Sequence, residues 1–166
     1  SNNDALKAAR LELENKINQT VQTDGMTQQS VDAYQNAKRE AQNESNTALA
    51  LINNGDATEQ QITTEKDRVN QQTTNLTQAI NGLTVNKEPL ETAKTALQNN
   101  IDQVPSTDGM TQQSVANYNQ KLQIAKNEIN TINNVLANNP DVNAIRTNKA
   151  EAERISNDLT QAKNNL

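Results

Sequence analysis

The sequence predicts an all-α fold, two tandem three-helix bundles set end to end as an elongated rod. Three observations carry that expectation. The nine-residue run from Thr23 to Val31 recurs unchanged from Thr107 to Val115, so the chain holds an internal duplication at an offset of 84 residues. Apolar residues recur at spacings of three, four and seven, the periods of an amphipathic helix and of a near-parallel helix seam. Two Tyr are the only aromatics, and four Gly and three Pro supply few turns, which disfavours a sandwich or a barrel. A core made of Leu, Ile, Val, Met and Ala suits slender bundles.

In the first copy, Leu6, Ala9, Leu13 and Ile17 fall on one face of a first helix, with Asp4 as N-cap or first-turn acid. Thr23-Asp24-Gly25 ends it. Thr27 is a good N-cap for a longer second helix, whose buried stripe is Val31, Tyr34, Ala37 or Lys38, Ala41, Ala48, Leu51 and Ile52. That helix stops near Asn54-Gly55. Thr58-Glu59-Gln60-Gln61 has the form of a capping box and opens a third helix. Along it Ile62, Val69, Leu76 and Leu83 are seven apart, with Ala79 and Ile80 beside them.

The second copy repeats these elements. At the offset of 84, Leu6 pairs with Leu90, Ala9 with Ala93, Leu13 with Leu97, Ile17 with Ile101, Tyr34 with Tyr118, Ala41 with Ala125 and Glu44 with Glu128. Further on the offset is 83, pairing Ile62 with Ile145, Lys66 with Lys149, Leu76 with Leu159 and Leu83 with Leu166. One residue is lost where Asn53-Asn54-Gly55-Asp56-Ala57 faces Asn138-Asn139-Pro140-Asp141, as a loop allows. The copies are therefore expected over residues 1–83 and 84–166. At their junction Gly82 ends one helix and Pro89 suits the first turn of the next, which favours a short, fairly stiff linker over a continuous kinked helix.

Composition narrows the function classes. Without Cys or His there is no thiol nucleophile, imidazole base or ordinary zinc site, so an enzyme is not expected. No catalytic, cofactor-binding or metal-binding residue is singled out. The net charge is −5, with acids and bases interspersed, and the densest basic spot is Lys38-Arg39, which reads as a solvated helix face. Nucleic-acid binding needs clustered cations and is not expected. No apolar run approaches the roughly 18 residues of a membrane helix, and Ser1-Asn2-Asn3-Asp4 shows no signal-peptide pattern. The chain reads as a monomeric fragment cut from a long array. Its many Asn and Gln interleave with apolar residues at helical spacing and read as an uncharged solvent face.

The pattern Met-Thr-Gln-Gln-Ser-Val-x-x-Tyr, followed in each copy by a spaced Ile, Val or Ala, and Leu-Thr-Gln-Ala-x-x-x-Leu, resembles the FIVAR module. The resemblance covers essentially the whole chain. Thr27 and Ser30, with Thr111 and Ser114, match the module's usual start of helix two, whereas Met26 and Val31 stand where aromatics are common. That departure resembles the Asn/Gln-rich variant in giant matrix-binding surface proteins of staphylococci. The resemblance implies three helices per module and a segment of a cell-wall-anchored bacterial adhesin, extracellular and at the cell surface. It further implies weak, multivalent binding to a host extracellular matrix protein, fibronectin, in support of attachment and biofilm formation. The alternative is a spacer or stalk module with no ligand of its own.

Individual residues have plainer readings. The repeated loop suits a turn in which Gly25 and Gly109 take positive φ, Thr27 and Thr111 cap, and Met26 and Met110 staple onto the helix. Tyr34 and Tyr118 lie on the buried stripe, as core residues with an exposed hydroxyl, rather than as interface anchors. Glu12 with Glu14, and Glu151 with Glu153, are two apart on a helix, diverge, and read as solvated charges. The Asn-x-Ser/Thr sequons at Asn18, Asn43 and Asn75 are expected by chance in so Asn- and Thr-rich a chain. No ligand-contacting residue emerges.

Overall fold

The computed structural model describes residues 2–166, with side chains from Asn3 onward. Six helices follow one another: α1 (Asn2–Ile17), α2 (Gln28–Ile52), α3 (Glu59–Asn81), α4 (Glu88–Asp102), α5 (Gln112–Ala137) and α6 (Val142–Asn164). They divide into two compact units, residues 1–84 and 85–166. Within each unit every helix packs on the other two, so each unit is a three-helix bundle.

The caps explain the helix starts. Thr27 and Thr111 are extended, and each hydroxyl accepts the amide of the residue three later, Ser30 or Ser114. At Thr58 the reciprocal box forms, the hydroxyl accepting the Gln61 amide and the Gln61 side chain accepting the Thr58 amide. Its counterpart Asp141 caps α6 by accepting the Ala144 amide at 2.7 Å. The shortened loop before it turns at Asn139, whose φ of 49° is the left-handed conformation that Asn tolerates best among ordinary residues. Gly25 and Gly109 take φ of 81° and 74°, as the repeated turn requires. At the junction α3 ends against Gly82, and α4 opens with Pro89 in its first turn, so the helices do not run through.

The first unit buries Leu6, Ala9, Leu13, Ile17, Tyr34, Ala41, Ala48, Ile62, Val69 and Leu76, with Leu83 packed at the edge. The second buries the repeat partners of all of these, with Ile132 in place of Ala48 and Ala152 in place of Val69, and adds Ile155 and Ala162. Val31 and Ala37 are half-buried and Lys38 is exposed, so the stripe on α2 is narrower than its spacing suggested. The staple is corrected: Met110 is 42% exposed and neither methionine belongs to a core cluster. A methionine holds such a position only when a facing apolar side chain covers it.

The border between units falls after Thr84, one residue beyond the border drawn from the repeat. The main chain of Thr84 bonds back to the start of α2, which ties it to the first unit.

Candidate functional site

The tyrosines, the repeated loop and the paired acids are spread over the two units, and packing explains most of them. Tyr34 and Tyr118 are 6% and 3% exposed and belong to the cores. Lys38 lies 6.0 Å from the Tyr34 ring centre, a cation over an aromatic face. The Tyr118 hydroxyl is buried without a hydrogen-bond partner, against the expectation of an exposed tip. The repeated loop is held by its own cap, with the Ser30 hydroxyl donating to Thr27 O at 2.9 Å and the Ser114 hydroxyl to Thr111 O at 3.0 Å.

Two of the paired acids are more than solvated charges. Ser45, fully buried on α2, donates its hydroxyl to Glu14 on α1, and Arg10 Nε donates to Ser45 O at 3.0 Å. Arg10 also lies 3.7 Å from Glu14. This triad fastens α1 to α2. On α6, Glu151 accepts two bonds from Arg154, at 2.5 and 3.1 Å, which hold its carboxyl below the usual range. Arg154 also reaches Asp158 at 3.0 Å.

Between α2 and α3 a groove of about 610 Å³ is lined by Thr47, Asn54, Gln61, Thr64, Glu65 and Arg68, among others. Glu65 is the unusual member. It is 3% exposed, and its carboxyl is pushed up to about 8, first by burial, then by its hydrogen bond to Glu44 and by the charge there, with Arg68 opposing. A carboxyl so raised favours the protonated form, which can donate to Glu44 on the neighbouring helix. Glu44 Oε1 and Glu65 Oε2 are buried without partners. In the second unit Asn148 stands where Glu65 would be. There Glu128 is the buried acid, raised by burial and then by Glu151, with Arg154 opposing.

The second unit is fastened elsewhere. Asn100 on α4 donates to Ser156 O, Ser156 Oγ and Thr160 Oγ1 at 2.9, 3.0 and 3.0 Å. Lys163 donates to Asn100 Oδ1 at 2.8 Å and to Gln103 O at 2.7 Å, a cation at the carbonyl end of α4. Burial lowers the ammonium's proton affinity.

Within one helix, periodicity finds none of these groupings, since their members meet only after helices pack. What they offer chemically is positioning and proton storage. The groove itself presents hydroxyls, amides, one carboxyl and one guanidinium beside the apolar side chains of Ala50 and Leu51. Among the described residues there is no cluster of three metal-ligating side chains. No described helix is long and apolar enough to cross a membrane.

A family model described as the FIVAR domain matches residues 9–84 and 93–166. The whole chain is similar to proteins named extracellular matrix-binding protein from Staphylococcus aureus, at 52% identity in strain Newman and 52% in strain COL. In each case the match covers 100% of this chain and 2% of the relative, so the chain spans a small fraction of the length of the proteins it matches. No solved structure matches.

Proposed function

Because the chain belongs to the FIVAR domain family, as two successive domains of it, we propose that it is a repeat segment of a bacterial surface adhesin. In this reading the segment is not an enzyme. Its parent is anchored in the cell wall, and its modules hold the cell to an extracellular matrix protein, fibronectin, supporting attachment and biofilm formation. The observation that carries the reading is the 52% identity over the full chain with proteins named for matrix binding. The surface chemistry agrees with it. An amide-rich, weakly acidic exterior offers many hydrogen-bonding groups and no single anchor, which gives weak contacts that gain strength by repetition.

The test is surface plasmon resonance on immobilised fibronectin with one, two and four tandem copies of the 166-residue segment. One copy is expected to bind weakly, and apparent affinity should climb steeply with copy number. Binding that is absent at four copies, or that does not change per molecule from one to four, would overturn the adhesive reading.

One observation favours a second reading, a spacer without a ligand. Each unit closes a hydrophobic core of its own, so copies can be added for length without altering their neighbours. The same titration separates the two, because a spacer binds at no copy number.

A further inference from the structure

The loop between α2 and α3 places an asparagine directly before a glycine, Asn54-Gly55, and the same pair occurs once more at Asn81-Gly82. The side-chain amide carbon of an asparagine is an electrophile within reach of the main-chain nitrogen that follows it. Glycine is the one residue that puts no side chain in the way and leaves the backbone free to turn. The two pairs share this chemistry and differ in their surroundings.

Asn54, Gly55 and Asp56 are all exposed. Asn54 Oδ1 accepts the Asp56 amide at 3.0 Å, and the ring that this bond closes contains both Asn54 Cγ and the Gly55 nitrogen. The bond also draws electron density from Cγ, the atom to be attacked. The Gly55 amide has no hydrogen-bond partner among the described residues. A Cβ added at Gly55 meets nothing within 4 Å, so the space around the nitrogen is open. At the other pair the Gly82 amide donates to Gln78 O at 2.9 Å, the last step of the α3 ladder, and an attack there breaks a helical hydrogen bond. In the second unit the loop before α6 has Asn139-Pro140 at the corresponding place, and Pro140 has no N–H to lose.

We propose that Asn54 is a site of spontaneous modification, at which the Gly55 nitrogen converts the side-chain amide to a carboxylate. The Gly55 amide gives its proton to solvent base and its nitrogen bonds to Asn54 Cγ. The Cγ–Nδ2 bond breaks, and ammonia leaves with a proton taken from water, which closes a cyclic imide. Water then adds to one of the two ring carbonyls and breaks that carbonyl's bond to the Gly55 nitrogen. Opening at Cγ gives aspartate, and opening at the main-chain carbonyl gives isoaspartate, whose main chain runs through Cβ and Cγ. Either product places a new negative charge just beyond the C-terminal end of α2, where the helix dipole is already negative, and on the rim of the groove that holds Glu65 and Arg68. Of the two equivalent loops, only that of the first unit can change in this way. The inference stands independently of the adhesive reading.

The experiment is peptide mass spectrometry on the full 166-residue chain after incubation at mildly alkaline pH, with fragmentation that separates aspartate from isoaspartate. Asn54 is expected to convert on the order of tenfold faster than Asn81, as the loss of one net hydrogen bond at Gly82 implies. Its products should be a mixture of aspartate and isoaspartate, with Asn139 unchanged. In urea, where the α3 ladder is gone, Asn81 should rise to the rate of Asn54. Gly55→Ala, for which there is room, should slow Asn54 on the order of tenfold and leave Asn81 as it was. Conversion at Asn54 no faster than at Asn81 in the folded chain, or a rate at Asn54 that Gly55→Ala does not change, overturns the site. Aspartate without isoaspartate overturns the cyclic imide.

Discussion

Where the first unit seats Ser45, Glu65 and Gln72 against its core, the second has Ile129, Asn148 and Ile155 at the same repeat positions, and Ile132 where the first has Ala48. The exchange is not all one way, since Val69 in the first unit meets Ala152 in the second. Even so, the first unit seats a buried acid, a fully buried serine and a Gln72 oxygen without a partner where the second has Asn148 and two isoleucines, while the second carries Glu128 and the Tyr118 hydroxyl as buried polar groups of its own. Burying polar groups brings a desolvation cost that good hydrogen bonds only offset, whereas each added buried methylene contributes about 0.8 kcal/mol. The same duplicated backbone plan thus carries two cores of different composition, and the second unit, with the larger aliphatic core, is expected to be the more stable.

The largest effect is expected from trimming the second core back to the first. Ile132→Ala, the residue found at Ala48, should lower the stability of the second unit by about 3 kcal/mol through lost burial and a cavity. Urea titration followed by NMR peaks of both units should show the loss only in residues 85–166.

Next comes pH. The Glu65 carboxyl titrates at about 8 in the folded unit, above its ordinary value of 4.5. Folding therefore binds a proton that the unfolded chain releases. That contribution is fully present below pH 4.5 and is lost as pH rises through 8. Glu65→Gln keeps a donor for Glu44 without the titration, so it should raise first-unit stability at pH 8 by about 2 kcal/mol and change little at pH 4.5. Equal pH slopes for the two proteins, measured by urea midpoints across that range, would refute the raised Glu65 titration.

A smaller gain is expected from importing one residue of the larger aliphatic core. Gln72→Ile, the residue found at Ile155, should stabilise the first unit by about 1 kcal/mol by replacing an unpartnered buried oxygen with apolar contact. A fall in its thermal midpoint would show that Gln72 has a role that the hydrogen bonds do not reveal. An effect of similar size concerns caps. Thr58→Ala removes the hydroxyl half of the box and should lower the first unit by about 1 kcal/mol, leaving α6, capped by Asp141, untouched.

Much of the fold was legible because it depends on signals local to one helix. The spacing of Leu6, Ala9, Leu13 and Ile17, the hydroxyls of Thr27 and Thr58, and the glycines of the repeated turn each act within a few residues, and each is where the sequence put it. Ser45 with Glu14, Glu44 with Glu65 and Asn100 with Lys163 were not legible. Their partners sit on different helices, 31 residues apart for Ser45 and Glu14 and 63 for Asn100 and Lys163. Which polar groups meet there depends on the rotation of each helix about its axis, a detail that a buried stripe several residues wide leaves open. Glu14 illustrates the error: two residues from Glu12, it looked like a solvated charge, and its role lies toward α2. The groove was equally hidden, because Thr, Asn and Gln line it and also cover the rest of the exterior.

Native-state hydrogen exchange on the intact chain at pH 8 tests the inequality of the two units most directly. The account predicts two levels of global protection, the higher throughout the helices of residues 85–166 and the lower in those of residues 1–84. A single level shared by both units, or greater protection in residues 1–84, would contradict it.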